Sequence, residues 1–247
     1  MKKTIFCKVI IIFVPQLVLM SSEYDECGPL ETDFGHFAIS DTRADDIYAP
    51  WLASLGEYNY YNNYDVLCSG SVLTVKIIIT AAHCFENERH RPGHVRVGGN
   101  RRDNKYIVER GIREYKQHPD FTYPEYYYDV AIIILDNELI FSPHISPICL
   151  PQSVSSSPSD GTIITTQGWG FDDDGNSGET ATSVSVGVRS KQECNYKFEN
   201  AGSKYRDQVN RLMPQLIMEN IIFCTEAELN SELGTCGGDS GGPAIQK

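Results

Sequence analysis

Basic residues are scarce in this chain: 21 Lys and Arg stand against 33 Asp and Glu over 247 residues, a formal net charge of −12. Lys2, Lys3 and Lys8 fall in the first eight positions, so the remainder carries about −15. That balance excludes non-specific binding to nucleic acid or to an anionic membrane surface. Spanning-length apolar runs are missing too. Val9 to Met20 is nearly all apolar but is interrupted by Pro15, and it falls short of the roughly 20 residues that a membrane-crossing helix needs. No two cysteines from Cys27 onward are separated by only two to four residues, which removes the usual zinc spacings. Helical periodicity is almost absent before residue 200, and there is neither an internal repeat nor an N-x-S/T sequon.

What remains is an ordinary globular composition, 41% hydrophobic with 20 Gly and 12 Pro, able to bury a sizeable core. Apolar runs rich in β-branched residues recur at Val66 to Val75, Ile77 to Ala81, His94 to Val97, Tyr106 to Ile112, Val130 to Leu135, Gly161 to Thr166 and Ser183 to Val188. Gly, Asn, Pro and Ser clusters separate them, which predicts an all-β chain. Pro151 to Gly161 has linker composition and divides two β modules. Asn195 to Pro214, with Lys197, Lys204, Arg206 and Arg211 among polar residues, reads as a solvated surface helix or a contact site.

The basic start, the apolar stretch and then Ser21 and Ser22 read as a secretory signal over residues 1–22. Residues 23–37 follow as a propeptide-like segment, and 38–247 form the body. The expected destination is extracellular. Seven cysteines lie beyond the leader, and an oxidising compartment implies a disulfide framework with one partner missing.

Near the C-terminus stands Gly237-Gly238-Asp239-Ser240-Gly241-Gly242-Pro243. A hydroxyl nucleophile needs an exposed oxygen, glycines that let a carbonyl approach the backbone, and converging N–H donors for the oxyanion. The same run alone is also an ordinary turn. A serine hydroxyl further needs a base, and imidazole changes charge in the right range. His83 in Thr80-Ala81-Ala82-His83-Cys84 ends an apolar strand beside a cysteine, whereas His36, His90, His94, His118 and His144 are read as structural. A carboxylate must then orient the imidazole from a dry position. Asp129, heading Asp129-Val130-Ala131-Ile132-Ile133-Ile134-Leu135, fits; an acid turned to solvent at a strand start is the alternative.

These three ordered blocks resemble the catalytic blocks of chymotrypsin-like serine peptidases. Ala49-Pro50-Trp51, Cys68-Ser69-Gly70-Ser71, His118-Pro119, Ile148-Cys149-Leu150-Pro151 and Gly168-Trp169-Gly170 look like further landmarks of that family. The resemblance covers Cys27 to Lys247. It implies two six-stranded antiparallel β-barrels with the site between them, His83 and Asp129 from the first and Ser240 from the second. By the same resemblance the Gly238 and Ser240 N–H groups form the oxyanion hole, and the disulfides are Cys68–Cys84, Cys194–Cys224 and Cys27–Cys149. The family partner of Cys236 lies past the nucleophile, so the second barrel is expected to be incomplete at its C-terminus and the chain as written to fold poorly and show little activity.

Two departures from the family pattern matter. Asp239 is the acid that pairs with a new amino terminus after activation, yet the corresponding start, Ala38-Ile39-Ser40-Asp41, follows Phe37 rather than a basic residue. Either a different protease cuts there, or the usual ammonium–carboxylate pair never forms. Gly234 occupies the position where trypsin-like members carry Asp, with Glu232 a minor alternative, so the specificity pocket is expected to be neutral and to favour apolar or small side chains. No metal or cofactor is implied: Val97-Gly98 lacks the acid that opens the family's calcium loop, and Asp172-Asp173-Asp174-Gly175 lacks EF-hand spacing.

The expected function is secreted endopeptidase activity on protein or peptide substrates, with protein inhibitors and an activating protease as further partners. The alternative is a non-catalytic homologue that binds another protein through its Tyr-rich loops, Tyr58 to Tyr64 and Tyr123 to Tyr128.

Overall fold

The computed structural model describes residues 10–12, 27, 48–151, 158–170, 180–200, 202–217, 222–227 and 238–246. Strand β1 (Ile10–Ile12) is followed by six strands that close into an antiparallel barrel: β2 (Leu52–Tyr58), β3 (Tyr64–Val72), β4 (Ile77–Thr80), β5 (His94–Val97), β6 (Val108–Gln117) and β7 (Ala131–Leu135). Their order around the barrel is β2-β3-β4-β7-β6-β5. Closure removes every free edge. The core follows from the period-two alternation of the strands: Ala131, Ile133 and Leu135 of β7 point inward to meet Leu55, Val72, Ile78, Val95 and Val97, while Ile132 and Ile134 are half-buried.

Among the described residues the second module is an open sheet, a half-barrel beside the closed one, in keeping with the expectation of an incomplete second barrel. It comprises β8 (Ile163–Gly168), β9 (Thr182–Arg189), β10 (Ile222–Ala227) and β11 (Ala244–Ile245) together with β1, in the order β1-β10-β9-β8-β11. Ile164, Val184, Val186 and Val188 form its apolar face. Residues 10–12, inside the expected leader, run antiparallel along β10 with Ile10 opposite Cys224. At the other edge β11 pairs with β8, Ala244 opposite Thr166, which anchors the segment that carries Ser240.

The two modules are joined around Trp169. Its buried ring packs with Leu52, Tyr64, Val66 and Ala181, and the Trp51 indole N–H donates to Gln167 Oε1 at 3.0 Å.

The stretch expected as one surface helix is two. Helix α1 (Lys191–Glu199) begins at Ser190, whose Oγ accepts the Glu193 N–H at 3.2 Å, a side-chain cap of the Ser-x-x-Glu kind. Helix α2 (Ser203–Leu212) starts after Gly202. Neither is simply solvated: Cys194 and Phe198 of α1 and Val209 of α2, with Met213 just beyond, form a small core with Tyr127. Among the described residues no helix is long and apolar enough to cross a membrane.

Candidate active site

His83 sits on a short 3₁₀ turn, Ala82–Phe85, at the end of β4. Two constraints hold that turn. Cys84 is disulfide-bonded to Cys68 on β3, and Gln117 Nε2 donates to the Ala82 carbonyl at 3.0 Å and to Glu86 Oε1 at 2.6 Å. Both neighbours of His83 are thus fixed to the barrel.

Asp129 lies at the mouth of β7 with only 6% of its surface exposed. Each of its oxygens meets His83: Oδ1 accepts the backbone N–H at 2.7 Å, and Oδ2 lies 2.6 Å from ring Nδ1. A buried carboxylate is tolerated when its lone pairs are occupied in this way. The approach to Asp129 is tightly turned. Tyr128 adopts φ 55°, a left-handed conformation that a bulky residue adopts only under tertiary constraint, and its ring stacks on His118 at 5.0 Å. The preceding Tyr126 ring centroid is 6.1 Å from that of His83. Burial, then the negative charge of Asp129 and Tyr123, raise the Tyr126 phenol above its ordinary pKa, against the opposing field of Arg211.

Ser240 comes from the other module and is docked through its backbone. The Ser69 N–H donates to the Ser240 carbonyl at 2.8 Å, and that carbonyl oxygen lies 3.9 Å from Cys84 Sγ, one residue beyond His83. Gly241 follows with φ 81°, and a side chain there would run into Ser69 O and Ala81 N, each 2.6 Å from the added carbon. Only glycine suits that conformation and that space. Gly238 is also left-handed, at φ 95°. Among the described residues, neither the Gly238 nor the Ser240 N–H donates to another protein group.

Ser69, read from the sequence only as part of the Cys68-Ser69-Gly70-Ser71 landmark, has a bridging role that sequence reasoning missed. It is fully buried. Its Oγ donates to the Gly238 carbonyl at 2.8 Å and accepts the Trp169 N–H at 2.9 Å, and its own carbonyl accepts Thr80 Oγ1 at 2.7 Å. One small side chain therefore joins the Gly-Asp-Ser segment, the Gly168-Trp169-Gly170 corner and the strand leading to His83. A serine flanked by Cys and Gly in an apolar run carries no sequence signal for such partners.

Asp239 turns its carboxylate toward that corner, Oδ1 accepting the Gly170 N–H at 2.7 Å. Disulfides Cys27–Cys149 and Cys194–Cys224 complete the three bonded pairs. Cys68, His83 and Cys84 bring three potential metal-ligating atoms within 4.8 Å of one another, but the two sulfurs are bonded to each other and supply no thiolate. Phe37, the Ala38-Ile39-Ser40-Asp41 start, Asp172 to Gly175, Glu232, Gly234 and Cys236 lie outside the described residues.

A cleft of about 350 Å³ opens beside His83, bounded by Tyr123, Pro124 and Tyr126 on one wall and by Gln208, Arg211 and Leu212 of α2 on the other. A more open hollow of about 700 Å³, lined by Glu109, Arg110, Asp136 and Glu138 among others, shares no residue with it.

The chain belongs to the trypsin family, whose model, described as Trypsin, matches residues 38–247. Among its relatives, the serine proteinase stubble of Drosophila melanogaster is 30% identical over 204 residues, covering 80% of this chain and 24% of that protein. Phenoloxidase-activating factor 1 of Holotrichia diomphalia is 30% identical over 215 residues, 79% of this chain and 54% of that protein. The chain thus spans about a quarter and about half of those two relatives. The solved structure of neuropsin, a serine protease expressed in the limbic system of mouse brain, superposes with a TM-score of 0.63 at 22% identity, over 83% of this chain and 80% of that one. That likeness concerns the fold.

Proposed function

We propose that this chain is a secreted serine endopeptidase. The observation that carries the reading is the double contact of His83 with the buried Asp129, on a turn flanked by the docked Ser240 carbonyl. In this reading the Ser240 hydroxyl attacks the substrate carbonyl while His83 Nε2 takes its proton. Asp129 holds the ring by the Nδ1–H and stabilises the imidazolium. The oxyanion forms against the Gly238 and Ser240 N–H groups, which no protein acceptor occupies among the described residues. Collapse of the tetrahedral intermediate passes the proton from His83 to the leaving amine, and water then hydrolyses the acyl-enzyme.

The finer parts of the proposal rest on sequence. Residues 1–22 direct export and are removed. A protease that cuts after Phe37 frees Ala38, and Gly234 gives a neutral pocket that prefers Leu, Phe or Ala to Arg. Labelling by a peptidyl phosphonate tests the central claim: the activated protein becomes covalently modified and its Ser240→Ala form does not. Labelling that survives Ser240→Ala overturns the assignment. Sequencing the N-terminus of the secreted form tests cleavage, with a start near residue 23 in an active protein counting against activation at Phe37.

A second reading, a non-catalytic binding homologue, draws on the hairpin tip between β2 and β3. There Tyr60 and Tyr61 are 96% and 80% exposed, on a turn stiffened by Asn59 Oδ1, which accepts the Tyr61 and Asn63 N–H groups. Rigid exposed aromatics suit protein contact. Absence of phosphonate labelling, with retained capture of a partner that Tyr60→Ser and Tyr61→Ser abolish, favours this reading.

A further inference from the structure

The geometry points to Arg211 as a selector of acidic substrates: we infer that the cleft beside His83 receives a Glu or Asp side chain of the polypeptide being cut, within a few residues of the scissile bond, and pairs it with the Arg211 guanidinium. This deepens the endopeptidase reading and rests on it.

Four observations carry the inference. First, the cleft is continuous with the base, since His83 itself forms part of its lining, and its volume of about 350 Å³ lies within the ligand-cleft range of roughly 300–1,000 Å³. Second, its walls are tied together. The Tyr126 N–H donates to the Leu212 carbonyl at 2.8 Å, the Tyr127 hydroxyl donates to the Leu216 carbonyl at 2.9 Å, and the Gln215 N–H donates to the Tyr127 oxygen at 2.8 Å. The helix that carries Arg211 is thereby bolted to the loop that leads into Asp129, so the cation keeps a fixed place relative to the reacting groups.

Third, among the described residues Arg211 has no acid of its own. Asp207 stands one turn before it on α2, in the right sequence position for an i,i+4 pair, yet among the described residues no carboxylate lies within ion-pair distance of Arg211. Asp129 does not serve either, because both of its oxygens are held by His83. The guanidinium instead acts on the Tyr126 phenol across the cleft. Fourth, the remaining wall suits the rest of a peptide. Gln208, one helical turn earlier on the same face as Arg211, offers an amide, and Tyr123, Pro124 and Leu212 offer apolar surface. In a chain of net charge −12, Arg211 is a cation at the lip of the site with no ion-pair partner among the described residues. The chemistry it fits is a carboxylate, which guanidinium can bind through two parallel N–H donors.

The test uses internally quenched peptides with Leu before the scissile bond and Glu, Gln or Lys placed in turn at each of four positions on either side. At one position the Glu peptide should be cut about fivefold faster than the Lys peptide, the upper end for a partly exposed ion pair. That ratio should vanish in Arg211→Gln, invert in Arg211→Glu and shrink in 1 M salt. Equal rates for Glu and Lys at every position overturn the inference and leave the hydrolase standing. An acid preference that persists in Arg211→Gln overturns it too, by assigning the recognition to another group. If no peptide is cut and no phosphonate reacts, the endopeptidase reading fails and takes this inference with it.

Discussion

Ser69 Oγ donates to the Gly238 carbonyl at 2.8 Å across a sequence separation of 169 residues. The same oxygen accepts the Trp169 N–H at 2.9 Å, so its one proton and one lone pair are both used in a fully buried position. Replacing it with Ala strands a buried carbonyl and a buried N–H together, and each unsatisfied group costs about 1–3 kcal/mol. Ser69→Ala should therefore lower the denaturant midpoint by the equivalent of about 2–4 kcal/mol with an unchanged m-value. A midpoint within error of wild type would show that water or relaxation satisfies both groups.

Asp129→Asn keeps the shape of the side chain but removes the charge that faces Nδ1 and lets the amide present a donor there. The imidazole is then held in the wrong tautomer, and turnover should fall on the order of 10⁴-fold. The near-ultraviolet circular dichroism should stay close to wild type, since β7 and its core neighbours are untouched. Turnover within tenfold of wild type would remove Asp129 from the mechanism.

Glu226 on β10 accepts from Lys197 Nζ at 2.8 Å and from Arg189 Nε at 3.0 Å. The Lys197 and Arg189 donors hold its carboxyl below the ordinary glutamate range, with burial acting the other way. A depressed pKa means stability that is present above the unfolded-state value, near 4.3, and lost as pH falls through the lower folded-state value. Glu226→Gln should be less stable than wild type at pH 7 by no more than about 1 kcal/mol, as expected of exposed pairs. The two should converge as pH falls below the folded-state value, and a gap that is constant across pH would rule out the ionic origin.

The Cys68–Cys84 bond closes a loop with a sequence separation of 16, for which chain-entropy reasoning gives about 3 kcal/mol. The double replacement Cys68→Ala, Cys84→Ala should cost that much in equilibrium unfolding. It should also lower phosphonate reactivity by more than global unfolding accounts for, because Cys84 fixes the turn that carries His83. Loss of stability with unchanged reactivity of the folded fraction would assign the bond a purely structural role.

The sequence reveals strands where β-branched residues run together. Ile77–Thr80, His94–Val97 and Ala131–Leu135 are close to the runs read from the sequence. β2, Leu52–Tyr58, was not among those runs. Its Ala-Ser-Leu-Gly-Glu stretch lacks β-branched residues, and its strand character comes from pairing with β3 on one side and β5 on the other. β10 and β11 are likewise short and read only through their partners. The helical stretch was visible through its polarity, but its division into one helix ending at Glu199 and another beginning at Ser203 was not. Its burial was hidden too, because Val209 and Met213 share a cluster with Tyr127, with Phe198 of α1 and with Ile222 and Cys224 of β10, partners that no local pattern announces.

Within the candidate site, the three blocks were legible because each places a chemically demanding side chain in an apolar or glycine-rich setting that says little else. The Ser69 bridge and the Arg211 wall were not. Ser69 finds its partners 100 and 169 positions away, and Arg211 lines the cleft on a helix held to the Tyr126–Tyr127 loop by hydrogen bonds from residues about 90 positions apart. Such relationships exist in space and leave no local pattern.

The grip of His83 on Asp129 is divided between main chain and ring, one oxygen for each. If, in the proposed mechanism, the imidazole swings out to let a product leave, the acid stays moored by the amide and keeps its bearing. The ring then has a fixed berth to return to, and each round of turnover can begin without the carboxylate having to find its place again.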